Sequence, residues 1–109
     1  QSSGEEDSAK VRRRVNKARD IQLKRYEKER IFFNSQLRSG MIQRYCMIDN
    51  ETKELMRTAF SRLKLSARAY NRILKVARTI ADLDGEPNIL STHIAEAIQY
   101  RSLDRKYWS

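Results

Sequence analysis

One cysteine, one histidine, one proline and three glycines are all this 109-residue chain holds of the residues that usually build disulfides, metal sites and tight turns. A lone Cys46 can form no internal disulfide, and Cys46 with His93 cannot close a zinc site, which needs four ligands. So few turn residues argue against an all-β domain. No apolar run approaches the roughly 20 residues that span a bilayer, and no signal peptide is visible. These absences together predict a soluble cytoplasmic domain. Enzymatic constellations are missing as well: there is no phosphate-cradling G-x-x-x-x-G-K-S/T loop and no Ser/His/Asp or Cys/His pairing to activate a nucleophile. The chain by itself is predicted not to be an enzyme, to bind no metal and to carry no cofactor.

Basic residues are plentiful, and the net charge of +9 favours polyanionic partners. The surplus is concentrated. Between Ser8 and Arg30 there are ten Lys or Arg against three Asp or Glu, whereas the rest of the chain holds 13 against 11. Residues 1–7 are polar and aperiodic and read as a disordered linker or an expression remnant, so the chain reads as a fragment. Residues 8–105 read as one helical domain, and 106–109 as a tail in which Tyr107 and Trp108 could pack back on the body.

Helical periodicity organises that domain. Ser8 is placed to cap a long helix reaching Phe33, with Val11, Val15, Ala18, Gln22, Tyr26 and Phe33 on a thin apolar face. Asn34 begins a reversal into a short turn, which Ser39-Gly40 would end through a left-handed glycine, and Met41–Cys46 forms a further short helix. Asp49 caps the next helix, with Leu55, Met56, Ala59, Phe60 and Leu63 inward. Ser66 caps another, with Tyr70, Ile73, Leu74, Ala77, Ile80 and Ala81 inward, stopping near Asp84-Gly85 ahead of Pro87. Ser91 caps the last, with Ile94, Ala95 and Ile98 inward. The predicted class is an all-α bundle of about four main helices, one of them long.

Two features invite functional readings. Arg68 lies two residues beyond the Ser66 cap, where a cation opposes the helix macrodipole. An anion at that helix end would reconcile them, gripped by free backbone N–H groups and the guanidinium together; a solvated arginine tolerating a small penalty is the other reading. Lys10, Arg13, Lys17, Lys24 and Lys28 share a face of the first helix and could follow a phosphate backbone, or simply form a solvated surface. The nearby Tyr26, Phe32 and Phe33 read as anchors for the helix rather than as platforms for bases. His93, in the first turn of the last helix, and Cys46 read as structural.

The run Ser66-Ala67-Arg68-Ala69-Tyr70-Asn71-Arg72-Ile73-Leu74-Lys75-Val76-Ala77-Arg78-Thr79-Ile80-Ala81-Asp82-Leu83 closely resembles the lid helix of the ComM branch of magnesium-chelatase-like AAA+ ATPases. The similarity continues through Gly85 and His93 to Arg105. Upstream it takes in Arg14-Val15, Ala18-Arg19, Gln22, Arg25, Asn34 and Tyr45-Cys46-Met47-Ile48-Asp49. The resemblance implies a helical lid working with an upstream AAA+ core that carries ATP and Mg²⁺, in hexameric rings whose neighbouring subunits are further partners. It implies that Arg68 is the second-sensor arginine at the γ-phosphate, with Arg72 one turn along as a weaker assistant. The long first helix would match the element that repositions the lid in related ATPases, so Arg68 could serve its own subunit's nucleotide or its neighbour's. ComM relatives are associated with DNA branch migration, whereas true chelatase subunits drive Mg²⁺ into porphyrin. Three functions therefore stay open: the lid of a DNA-remodelling ATPase, a freestanding basic helical module for nucleic acid, and the lid of a chelatase motor.

Overall fold

The strongest apolar periodicity, in Ser66–Leu83, predicts the helix around which the rest must pack, and it is the central element of the molecule. The computed structural model describes residues 7–103. Over these the chain is all-α: α1 (Ser8–Arg25), a 3-10 turn (Asn34–Gln36), α2 (Ser39–Tyr45), α3 (Asn50–Arg62), α4 (Ala67–Leu83) and α5 (Ser91–Leu103). No strand occurs among the described residues. Of the linker read over residues 1–7, all but Asp7 lie outside them, as do the tail 106–109 and the packing of Tyr107 and Trp108.

α4 packs against α1, α2, α5 and the 3-10 turn, while α3 packs mainly on α5. Ile73, Ala77 and Ala81 are completely buried, and Ala69 and Leu74 nearly so. The two deeply buried alanines let neighbouring helices approach closely. Facing them are Tyr26, Ile31, Leu37, Ile42, Met56, Leu65, Ile89, Ile94 and Ala97, which complete one core.

Helix ends follow local chemistry. Asp49 Oδ1 accepts the Thr52 N–H at 2.8 Å, and Ser66 Oγ accepts the Ala69 N–H at 3.0 Å, as N-caps do. α4 closes in a Schellman motif: the Gly85 N–H reaches the Asp82 carbonyl, and the Glu86 N–H reaches that of Ala81. Gly85 takes the left-handed conformation this requires, φ +73°.

Several boundaries differ from the sequence reading. α1 is capped by Asp7, whose carboxylate accepts the Lys10 N–H at 2.9 Å, and not by Ser8. α1 also stops at Arg25 rather than running to Phe33. Helix formers fill Glu27–Arg30, but the reversal there returns Ile31 and Asn34 to the core, and tertiary gain overrides propensity. Gly40 sits inside the first turns of α2; the 3-10 turn ends at Leu37, whose extended backbone sends its side chain into the core. Ser91 is the first residue of α5, its hydroxyl 3.0 Å from that of Thr52; Leu90 precedes it and donates its N–H to His93 Nδ1 at 2.9 Å. Val11, Val15, Phe33, Phe60, Leu63 and Ala95 are exposed where burial was expected. Phe60 instead covers the edge of Tyr70, with ring centroids 5.8 Å apart. Tyr70, Ile80, Leu55 and Ile98 are half-buried at the margin of the core.

Candidate functional site at the start of the central helix

Arg68 occupies the second position of α4, and its side chain is exposed. It forms no ion pair or side-chain hydrogen bond with any described residue. Ser66 satisfies only the Ala69 N–H, and the Tyr70 N–H goes to the Ser66 carbonyl, which leaves the first two N–H groups of α4 without intrahelical acceptors. A cation and the positive end of a helix dipole thus face the same solvent.

The sequence reading placed Arg72 one turn behind Arg68, and the structure brings the two together along one wall of a surface groove of about 880 Å³. Sequence reasoning missed the other polar lining. Lys75 continues the row, its Nζ 3.4 Å from the carbonyl oxygens of Ser35 and Leu37, and Tyr100 enters from α5. Lys75 could have been found as the next residue on that face, since 68, 72 and 75 keep the i, i+4, i+7 spacing. The groove floor is apolar, with Leu37, Ile42 and Val76.

Behind the groove lies a buried polar cluster that the sequence reading did not contain. Asp82, with its side chain 1% exposed, takes both Arg25 guanidinium nitrogens at 2.7 and 2.9 Å, Asn34 Nδ2 at 2.9 Å and Arg78 at 3.1 Å. The carboxylate thus accepts three hydrogen bonds, with the Arg78 charge beside it as an ion pair. Asn34 in turn accepts the Tyr26 hydroxyl at 2.6 Å and gives its backbone N–H to Gln22 Oε1 at 2.9 Å. Burial alone would lower the Arg25 pKa, but its hydrogen bonds and charge pairing with Asp82 outweigh this and raise it. The Tyr26 hydroxyl is pushed up to about 12, chiefly by burial. The cluster locks the end of α1 and the 3-10 turn onto α4. Only the Arg78/Asp82 spacing of four, beside the inward face of α4, hints at it locally; Arg25 stands 57 residues from its partner.

His93 and Cys46 are structural. His93 is 2% exposed; its Nδ1 accepts the Leu90 N–H, which puts the ring proton on Nε2, 3.1 Å from Asp84 Oδ2. Cys46 is buried, and desolvation pushes its thiol up to about 11. Among the described residues no group of three His, Cys, Asp or Glu is arranged to hold a metal ion. No described helix is long and apolar enough to cross a membrane.

Of the basic stripe, Lys10, Arg13, Lys17 and Lys24 are exposed on α1, within an arc of about 60° at 3.6 residues per turn. Lys28 does not belong to it: it falls in the turn after the helix.

Comparison with known proteins identifies relatives of this chain. The model of the family described as magnesium chelatase, subunit ChlI C-terminal, matches residues 5–101. The chain is 46% identical over 100 residues to the competence protein ComM of Haemophilus influenzae. It is 42% and 39% identical, over the same length, to the uncharacterised YifB proteins of Escherichia coli and Salmonella typhimurium. In each case the match covers 92% of this chain and 19% of the relative, so the chain spans about a fifth of their length. A family match across nearly the whole chain, on an all-α domain of this kind, shows that it belongs to the magnesium chelatase subunit ChlI C-terminal family.

Proposed function

We propose that this domain is the helical lid of an AAA+ ATPase, and that Arg68 is the arginine it presents to the γ-phosphate of a nucleotide held by a separate core domain. The observation that carries this reading is the state of Arg68: exposed, without a carboxylate partner among the described residues, and at a helix start whose first N–H groups point the same way. An isolated guanidinium there is unfavourable, and a phosphate removes the conflict. Arg is suited to the task because it stays charged and donates in a fixed plane, so it can stabilise charge developing on the transferred phosphoryl group. Arg72, on the same wall, assists from one turn away. The Asp82 cluster ties α1 to α4, so a shift of the lid would carry both helices together and turn hydrolysis into motion. The similarity to a competence protein, together with the basic first helix, favours DNA remodelling over metal insertion as the work performed.

The test uses the longer ATPase that contains this domain. Arg68→Ala should leave binding of a fluorescent ATP analogue nearly unchanged while lowering kcat on the order of 10²-fold, as loss of one transition-state donor does. Turnover within a few-fold of wild type would remove Arg68 from the mechanism.

A further inference from the structure

The geometry points to duplex DNA as the partner of the N-terminal half of α1, a surface separate from the Arg68 groove. Every residue from Asp7 to Lys17 is exposed, so about ten helical residues, roughly 15 Å at 1.5 Å per residue, stand clear of the body. Such a stretch lacks the tertiary packing that supplies most helical stability in proteins. Apart from Asp7 at the cap, its charges are all of one sign. Ser8–Arg19 contains Lys10, Arg12, Arg13, Arg14, Lys17 and Arg19 and no acidic residue. Arg13–Lys17 is a like-charge pair at i,i+4, a spacing at which cations repel. A polyanion relieves that repulsion.

The distribution of charge selects the polyanion. Lys10, Arg13, Arg14 and Lys17 line one flank and a shallow depression of the helix. Arg12 and Arg19 lie roughly half a turn round, with Arg19 6.0 Å from the centre of the Phe33 ring. Cations on both flanks suit a helix with phosphates on either side. A bare helix about 10–12 Å across fits the B-DNA major groove, about 12 Å wide, whereas the A-form groove of duplex RNA is too narrow. Single strands are bound with stacked aromatics, and α1 contains none. The contact is one of backbone charge. It deepens the DNA-remodelling reading, yet it needs neither ATP nor Arg68, so either can fail without the other.

Fluorescence anisotropy of a labelled 20-base-pair DNA duplex with the 109-residue chain, across 25–200 mM NaCl, tests it. Log Kobs against log [NaCl] should fall with a slope of about −4, from four or five phosphates at about −0.9 each. Lys10→Gln/Arg13→Gln/Lys17→Gln should flatten that slope by about 2.7 and weaken binding at least tenfold at 50 mM salt, with an unchanged circular dichroism spectrum. Lys53→Gln/Arg57→Gln/Arg62→Gln on α3, which alters net charge equally, should leave the slope within about 1 of wild type. Lys10→Arg/Lys17→Arg should retain full binding. Equal losses in the α1 and α3 triple variants would overturn the assignment, as would equal affinity for single-stranded DNA or poly-glutamate, or no binding at 25 mM salt.

Discussion

Asp82 shows how much one side chain can hold. It is buried between Arg25 from α1 and Arg78 one turn before it, and Arg78 also donates to the carbonyl oxygens of Glu86 and Pro87. Truncating Asp82 would leave two guanidiniums in a poorly solvated place without their anion, and Asn34 would lose an acceptor as well. Removing one member of a buried pair typically costs about 3–5 kcal/mol, against a total stability of about 5–15 kcal/mol for a domain. Asp82→Ala should accordingly lower the urea midpoint of the 109-residue chain steeply. A change equivalent to less than about 1 kcal/mol, the usual worth of a surface pair, would mean that the cluster contributes little to the fold.

Among the elements, the ends of the helices were legible where one residue decides them. Asp49 and Ser66 cap as their chemistry requires, and Gly85 takes the left-handed position ahead of Pro87. The inward face of α4 was equally plain, because Ile73, Leu74, Ala77 and Ala81 keep one period over rather more than two turns. The end of α1 was not: nothing between Leu23 and Phe33 breaks a helix, and only Asn34 reaching Gln22 and Asp82 makes the reversal worthwhile. Arg68 could be singled out because a cation at a helix start conflicts with the dipole, a local rule. Lys75, Tyr100 and the Arg25–Asp82 pair come together only through the fold. The end of α3 holds a second unforeseen feature. Leu65 returns its N–H to the Phe60 carbonyl at 3.1 Å around Lys64, which adopts φ +53°. A side chain in that conformation costs about 1–2 kcal/mol that glycine avoids, partly offset by glycine's greater freedom when unfolded. Lys64→Gly should therefore stabilise the domain by about 0.5–1 kcal/mol in urea titrations, and any loss of stability would show that the Lys64 side chain contributes more than its backbone costs.

For the molecule as a whole, alkaline pH probes whether the core behaves as one unit. Tyr26 and Cys46 meet where α1, α2 and α4 come together, and burial raises both: Tyr26 from an ordinary 10.0 to about 12, Cys46 from 9.0 to about 11. Each group is neutral when protonated, so the folded chain holds its proton where the unfolded chain releases it. Their contribution is complete below about pH 9, declines as the unfolded groups ionise, and is lost by about pH 12. An opposing effect accompanies it. The net charge of a chain carrying +9 also falls as the pH rises, which relieves its self-repulsion and stabilises the compact state. The bare pH profile of wild type mixes the two. Tyr26→Phe/Cys46→Ala keeps all the lysines and removes only the buried acids, so urea midpoints at pH 7, 9 and 11 for both proteins isolate the core term. Wild type should be the more stable at pH 7, where the Tyr26 hydroxyl bond to Asn34 and the Cys46 packing are intact, and its advantage should shrink between pH 9 and 11. Parallel curves would show that these two groups reach solvent in the folded state, and that α1 is held to α4 less tightly than the Asp82 cluster requires.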